Sequence, residues 1–258
     1  MTLYYTETGD PKAPLIVFLH GGGVSGWMWK KQVDYFSHYH CLIPDLPEQG
    51  RSDVNVTFSI QRCAEQIIEL MEEKGKDKPI IVIGFSLGAQ VLIEMLSQKP
   101  HLIDFGMINS ALVKPIPCAS FLLKSLKITY PLVKIKFFSK IQAKSMYIHK
   151  DDFETYYLGS SQMNRETFIR IMEENMSFTI PENFKNATGN ILVTVGEKER
   201  KIMKESFSSL IDSHSNCKGV IFPKVGHGMS LAQPEIFNRL VEGWIEQDVL
   251  PKEMRATI

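Results

Sequence analysis

Gly84-Phe85-Ser86-Leu87-Gly88 fits the pattern G-x-S-x-G, between the apolar run Pro79 to Gly84 and a helical pattern that starts at Ala89. A serine on a tight strand-to-helix turn tolerates only small flanking residues. Its Oγ stands free at the edge of a sheet, beside a helix N-terminus whose amides and dipole favour negative charge. That setting makes Ser86 a candidate nucleophile. The plain alternative is a glycine-rich strand exit with a capping serine.

A nucleophilic serine needs a base and a place for negative charge. Gly226-His227-Gly228 places a histidine between two glycines, after a short strand and before the last helix, on a loop able to reach a pocket. We therefore take His227 as the candidate general base. His38, His40, His101, His149 and His214 lie in less suitable surroundings. His20-Gly21-Gly22-Gly23 follows a strand, and glycines there let backbone N–H groups point into a site unobstructed. The amides of Gly22 and Leu87 are the candidate oxyanion donors, and His20 is expected to orient the loop. A flexible glycine turn with a satisfied core histidine is the alternative reading.

These residues need elements to hold them. Leu15 to Leu19, Cys41 to Leu46, Pro79 to Gly84, Phe105 to Asn109, Asn190 to Gly196 and Gly219 to Phe222 read as strands. Helical spacing runs over 59–74, 89–96, 201–211 and 235–247. Strands alternating with helices imply an α/β fold, a mostly parallel sheet with helices on both faces. Periodicity is weaker from about 112 to 185, which reads as an insertion after a strand.

The segments HGGG, DLPEQGRS, GFSLG and VGHGMSLAQPE, in this order, resemble the α/β-hydrolase superfamily over nearly the whole chain except 112–185. The resemblance implies an eight-stranded, mostly parallel sheet with a helical cap inserted after the sixth strand. The core would be 1–111 and 186–258, and the cap 112–185. It also implies the order nucleophile, acid, histidine. Two departures stand out. The usual glycine-histidine pair before Gly50 is Glu48-Gln49, and the usual Asp after the seventh strand is missing. The family's acid sits three residues after a glycine, which here is Glu199 in Gly196-Glu197-Lys198-Glu199. Glu197 is the runner-up, and a site without a functional acid stays open. The other acid position reads Asn109-Ser110 and offers no carboxylate.

A serine at the elbow argues against the epoxide- and halide-removing members of the superfamily, which use Asp. The expected function is a serine hydrolase cleaving a small or medium carboxylic ester, or a related acyl bond, through an acyl-Ser86 intermediate. The expected partner is therefore a small ester-like molecule. A ligand-binding or signalling protein with slow turnover is the rival on the same scaffold. No cofactor is implied. Cys41, Cys63, Cys118 and Cys217 are too scattered for a metal site. Lys plus Arg and Asp plus Glu are 29 each, which argues against a nucleic-acid binder. The start of the chain has no signal-peptide pattern and no apolar run reaches the roughly 20 residues of a membrane span, so the expectation is a cytoplasmic protein.

The segment 112–150 carries Lys114, Lys124, Lys127, Lys134, Lys136, Lys140, Lys144 and Lys150 without one Asp or Glu. A basic, apolar surface for anionic lipid is one reading. The favoured one is a solvated lysine face with Phe121, Leu122, Leu126, Val133, Phe137 and Ile141 packed over the pocket, and no stable membrane association.

Overall fold

The computed structural model describes residues 3–52 and 57–247. The chain runs β1 (Tyr5–Thr8), β2 (Leu15–Leu19), α1 (Lys30–Tyr35), β3 (His40–Pro44), α2 (Ile60–Lys74), β4 (Ile80–Phe85), α3 (Leu87–Gln98) and β5 (Phe105–Asn109). Four helices follow: α4 (Ala119–Thr129), α5 (Lys136–Ser145), α6 (Phe153–Gln162) and α7 (Arg165–Ser177). The chain then returns to the sheet with β6 (Asn190–Gly196), α8 (Lys201–Ser213), β7 (Cys217–Phe222), α9 (Met229–Ala232) and α10 (Pro234–Gln247).

The strands are apolar on both faces because both faces are covered. Leu15, Val17 and Leu19 point into one core with α2, α3 and α8. Ile16 and Phe18 point into another with Trp29, Phe36 and, from α10, Phe237, Leu240 and Trp244. Helix boundaries follow local chemistry. The Ser59 side chain accepts the Arg62 N–H at 3.2 Å to cap α2, and α3 stops short of Pro100.

The sheet order is β1-β3-β2-β4-β5-β6-β7. β1 lies antiparallel on β3, and the other pairs are parallel. Leu19 pairs with Gly84, Phe85 with Asn109, Asn109 with Thr194, and Gly196 with Phe222. The C-terminal ends of β2, β4, β5, β6 and β7 are thus neighbours. The loops that follow them meet at one edge, where open α/β sheets bind ligands.

Two expectations are corrected. The sheet has seven strands among the described residues, not eight. The helical segment accordingly follows the fifth strand, β5, not a sixth.

The expected packing of the lysine-rich segment is also corrected. Val133 is buried and Leu126 half-buried, but Phe121, Leu122, Phe137 and Ile141 are exposed. α4 buries none of its residues. The inner positions of the segment are filled instead by Tyr130, Phe153, Tyr156 and Ile171.

Candidate active site

Ser86 follows β4 directly and has φ +53° and ψ −111°, a left-handed backbone that L-residues rarely adopt. The turn is tight on both sides. A Cβ on Gly84 would lie 2.4 Å from the Gly88 carbonyl oxygen, and one on Gly88 would lie 2.4 Å from the Leu19 carbonyl oxygen. Glycine is required at both places by contact with backbone that cannot move aside. The Ser86 N–H donates to Asn109 O at 2.9 Å, which extends the sheet and ties the turn to the end of β5.

His227 arrives from the loop after β7, held by two neighbours. A Cβ on Gly196 would lie 2.4 Å from the Gly226 carbonyl oxygen, so the end of β6 packs directly on this loop. The Gly226 N–H donates to the Tyr147 hydroxyl at 2.9 Å. The His227 ring rests near the Phe85 ring, with centroids 5.0 Å apart.

The structure brings Ser86, His227 and Glu199 together. His227 Nε2 lies 2.9 Å from Ser86 Oγ, and His227 Nδ1 lies 2.9 Å from Glu199 Oε2. Burial alone would raise the Glu199 carboxyl. Hydrogen bonds from His227, Ser110 and the Gly196 amide, with the His227 charge, outweigh it and hold the group below its ordinary value. An ionised carboxylate only accepts, so Nδ1 carries the proton and Nε2 is left to accept the Ser86 hydroxyl. The other oxygen, Oε1, accepts from Ser110 Oγ at 2.6 Å and from Gly196 N at 3.1 Å.

Glu197 goes elsewhere. It is exposed and accepts the Lys224 N–H at 2.7 Å, bracing the turn after β7.

Gly22 and Leu87 lie side by side, since a Cβ on Gly22 would stand 3.6 Å from Leu87 Cδ2. Neither N–H donates to a protein acceptor among the described residues. A Cβ on the neighbouring Gly21 would lie 3.4 Å from Ser86 Cβ, so the glycine loop and the serine turn adjoin. His20 is fully buried behind them. Its Nδ1 meets Gly21 O at 2.7 Å and its Nε2 accepts Leu46 N–H at 2.8 Å, which fixes the start of the glycine loop.

Sequence reasoning passed over Ser110 and Tyr147. Ser110 stands at the alternative acid position, and the lack of a carboxylate there concealed a hydroxyl that donates to Glu199 in the loop after β6. Tyr147 gave no signal, because its partner is a backbone amide 79 positions away.

Gln49 and Glu48, the departures before Gly50, also have defined tasks. Gln49 Oε1 accepts Gly23 N–H at 2.9 Å. Glu48 accepts Phe58 N–H at 2.6 Å, Thr167 Oγ1–H at 2.8 Å and the Arg170 guanidinium at 2.5 Å, fastening α7 to the core. Between α6 and the glycine loop lies a cavity of about 160 Å³, lined by Gly23, Trp27, Gln49, Tyr156 and Met163 among others. Ser86 and His227 are not in its walls.

The sequence pattern of the alpha/beta hydrolase family matches residues 16–240, and the chain belongs to that family. A stretch of 109 residues is 32% identical to the magnesium-chelatase 30 kDa subunit of Rhodobacter capsulatus, covering 41% of this chain and 38% of that protein. Such matches span only 32–38% of the curated relatives' own lengths. In fold the chain is similar to an esterase from Exiguobacterium antarcticum, with a TM-score of 0.81 at 16% identity over 95% of this chain and 96% of that one. It is similar too to the enol-lactonase of Burkholderia xenovorans LB400, with a TM-score of 0.80 at 15% identity over 95% and 96%. No helix among the described residues is long and apolar enough to cross a membrane.

Proposed function

We propose that this protein is a serine hydrolase that cleaves a small or medium carboxylic ester, or a related acyl bond, through an acyl-Ser86 intermediate. The observation that carries the reading is the unbroken chain of two 2.9 Å contacts from Glu199 through His227 to Ser86. His227 takes the Ser86 proton as Oγ attacks the carbonyl, and Glu199 stabilises the imidazolium that forms. The Gly22 and Leu87 amides hold the oxyanion. His227 then protonates the leaving group, and water repeats the steps on the acyl-enzyme. The esterase and the enol-lactonase among the structural neighbours support acyl-bond cleavage.

Residues 112–185 act in this reading as a cap over a core of 1–111 and 186–258. Two contacts support it: Ile171 Cγ2 would stand 3.6 Å from a Cβ on Gly22, and Tyr147 holds the His227 loop.

The test is covalent labelling by an organophosphonate, with turnover of p-nitrophenyl esters of increasing acyl length. Wild-type protein is labelled at Ser86, and Ser86→Ala loses both the label and activity, on the order of 10⁶ in kcat. A label on another serine, or full turnover by Ser86→Ala, overturns the mechanism.

A further inference from the structure

We propose that the outer face of α4 and α5, with the turn between them, docks on an anionic lipid bilayer. The exposed apolar side chains here are large: Phe121 is 74% exposed, Ile128 79% and Phe137 75%. Leu122, Leu132, Ile135 and Ile141 add to them. Scattered surface leucines need no explanation, but this many aromatic and branched side chains in one stretch do.

Charge decides what covers the face. Phe121, Lys124 and Ile128 share one side of α4, while Phe137, Lys140, Ile141 and Lys144 share one side of α5, by their spacing along a helix. Lys136 is paired with Glu154 at 2.7 Å. Lys124, Lys134, Lys140 and Lys144 have no carboxylate at salt-bridge distance among the described residues. No acid occurs from 112 to 150. A second copy of the chain would set lysine against lysine here, so self-association through this face is opposed. An anionic bilayer accepts the rings and aliphatic tips among its acyl chains and the ammonium groups among its headgroups. The open groove of about 920 Å³ beside α5 is of mixed charge, with Lys31, Lys144 and Lys150 facing Glu154 and Glu235, so the proposed surface ends there. The proposal departs from the expectation of a solvated lysine face with no stable membrane association.

The proposal does not depend on the catalytic reading, because docking uses none of Ser86, His227 or Glu199. The experiment is co-sedimentation of the full chain with vesicles of phosphatidylcholine alone and of phosphatidylcholine with phosphatidylserine. Wild type and Ser86→Ala bind the anionic vesicles alike, ignore the neutral ones and are released by salt. Lys124→Glu with Lys140→Glu weakens binding by about twenty-five-fold or more, at about fivefold per lysine near the surface. Phe121→Ser with Phe137→Ser weakens it also. Unchanged melting temperatures show that these exposed substitutions leave the fold intact. Failure to bind anionic vesicles at low salt, equal binding to neutral ones, or full binding by either double variant overturns the proposal. So does a dimer in solution that the phenylalanine variant dissolves.

Discussion

Ser110 donates its hydroxyl to Glu199 at 2.6 Å, on the carboxylate oxygen that does not face His227. The residue after β5 therefore completes the environment of a carboxylate in the loop after β6. The two positions where this fold can place its acid are both in use, one for the carboxylate and one for its donor.

Glu199→Gln should lower kcat by up to about 10⁴, because an amide favours the wrong histidine tautomer. Glu197→Gln, whose side chain holds only the Lys224 amide, should leave kcat near native. Ester hydrolysis by the two variants side by side checks this. The reverse ranking removes Glu199 from the site.

Ser110→Ala should raise the Glu199 carboxyl, since a hydrogen bond to its charged form is lost. Stability falls by about 1–3 kcal/mol, and because the folded carboxyl moves back toward its unfolded value, the loss of stability on acidification becomes shallower than in wild type. Thermal scans of equal slope across pH 3–6 would mean that Ser110 does not govern the ionisation of Glu199.

The acid sensitivity of the fold has a defined sign. In Glu48, burial works to raise the carboxyl, but the Phe58 amide, Arg170 and Thr167 together hold it below its ordinary value of 4.5. A carboxylate so depressed stabilises the fold above its unfolded value, and that contribution is lost as pH falls through the lower folded value. The wild-type melting temperature should fall more steeply below about pH 4.5 than that of Glu48→Gln. Parallel curves from thermal scans across pH 3–6 would remove Glu48 as a source of the decline.

Tyr147→Phe deprives the Gly226 amide of its acceptor. One hydrogen bond of this kind is worth about 0.5–1.5 kcal/mol, so kcat should fall roughly threefold to tenfold with little change in KM. Steady-state kinetics decide it. A change confined to KM would place Tyr147 on the substrate instead.

Glycines of the same motifs should respond differently to alanine. Gly22→Ala meets only ordinary contacts at 3.6 Å and should fold normally, as melting curves would show. Gly88→Ala drives a methyl group to 2.4 Å from Leu19 O and should cost about 3 kcal/mol or more. Equal melting temperatures for the two would contradict the packing described for the turn.

Much of this site is readable from residue order. Ser86 and His227 lie in short glycine-flanked signatures, and glycine requirements are local. Glu199 is reachable only through the family resemblance, which places the acid three residues after a glycine, and Glu197 stands beside it as an alternative. Other features escape because they are tertiary. β1 is Tyr-Thr-Glu-Thr, half-buried or exposed throughout, and it exists through backbone pairing with β3 that no apolar run announces. The residues of α4 look like core by composition, yet burial depends on what is stacked above them, and nothing in the described chain lies there. Ser110 and Tyr147 act through partners far away in sequence.

Among the described residues β7 forms hydrogen-bonded pairs only with β6, at the border of the sheet, and His227 hangs from its far end. The proposed catalysis needs five separate strand ends to hold register, and the histidine depends on the one of them that has a single neighbour among the described residues. Local fraying needs less free energy than melting the centre. A warmed sample can thus become inert while spectroscopy still counts it as native, so heat-inactivation half-life and unfolding midpoint are separate properties of this enzyme candidate.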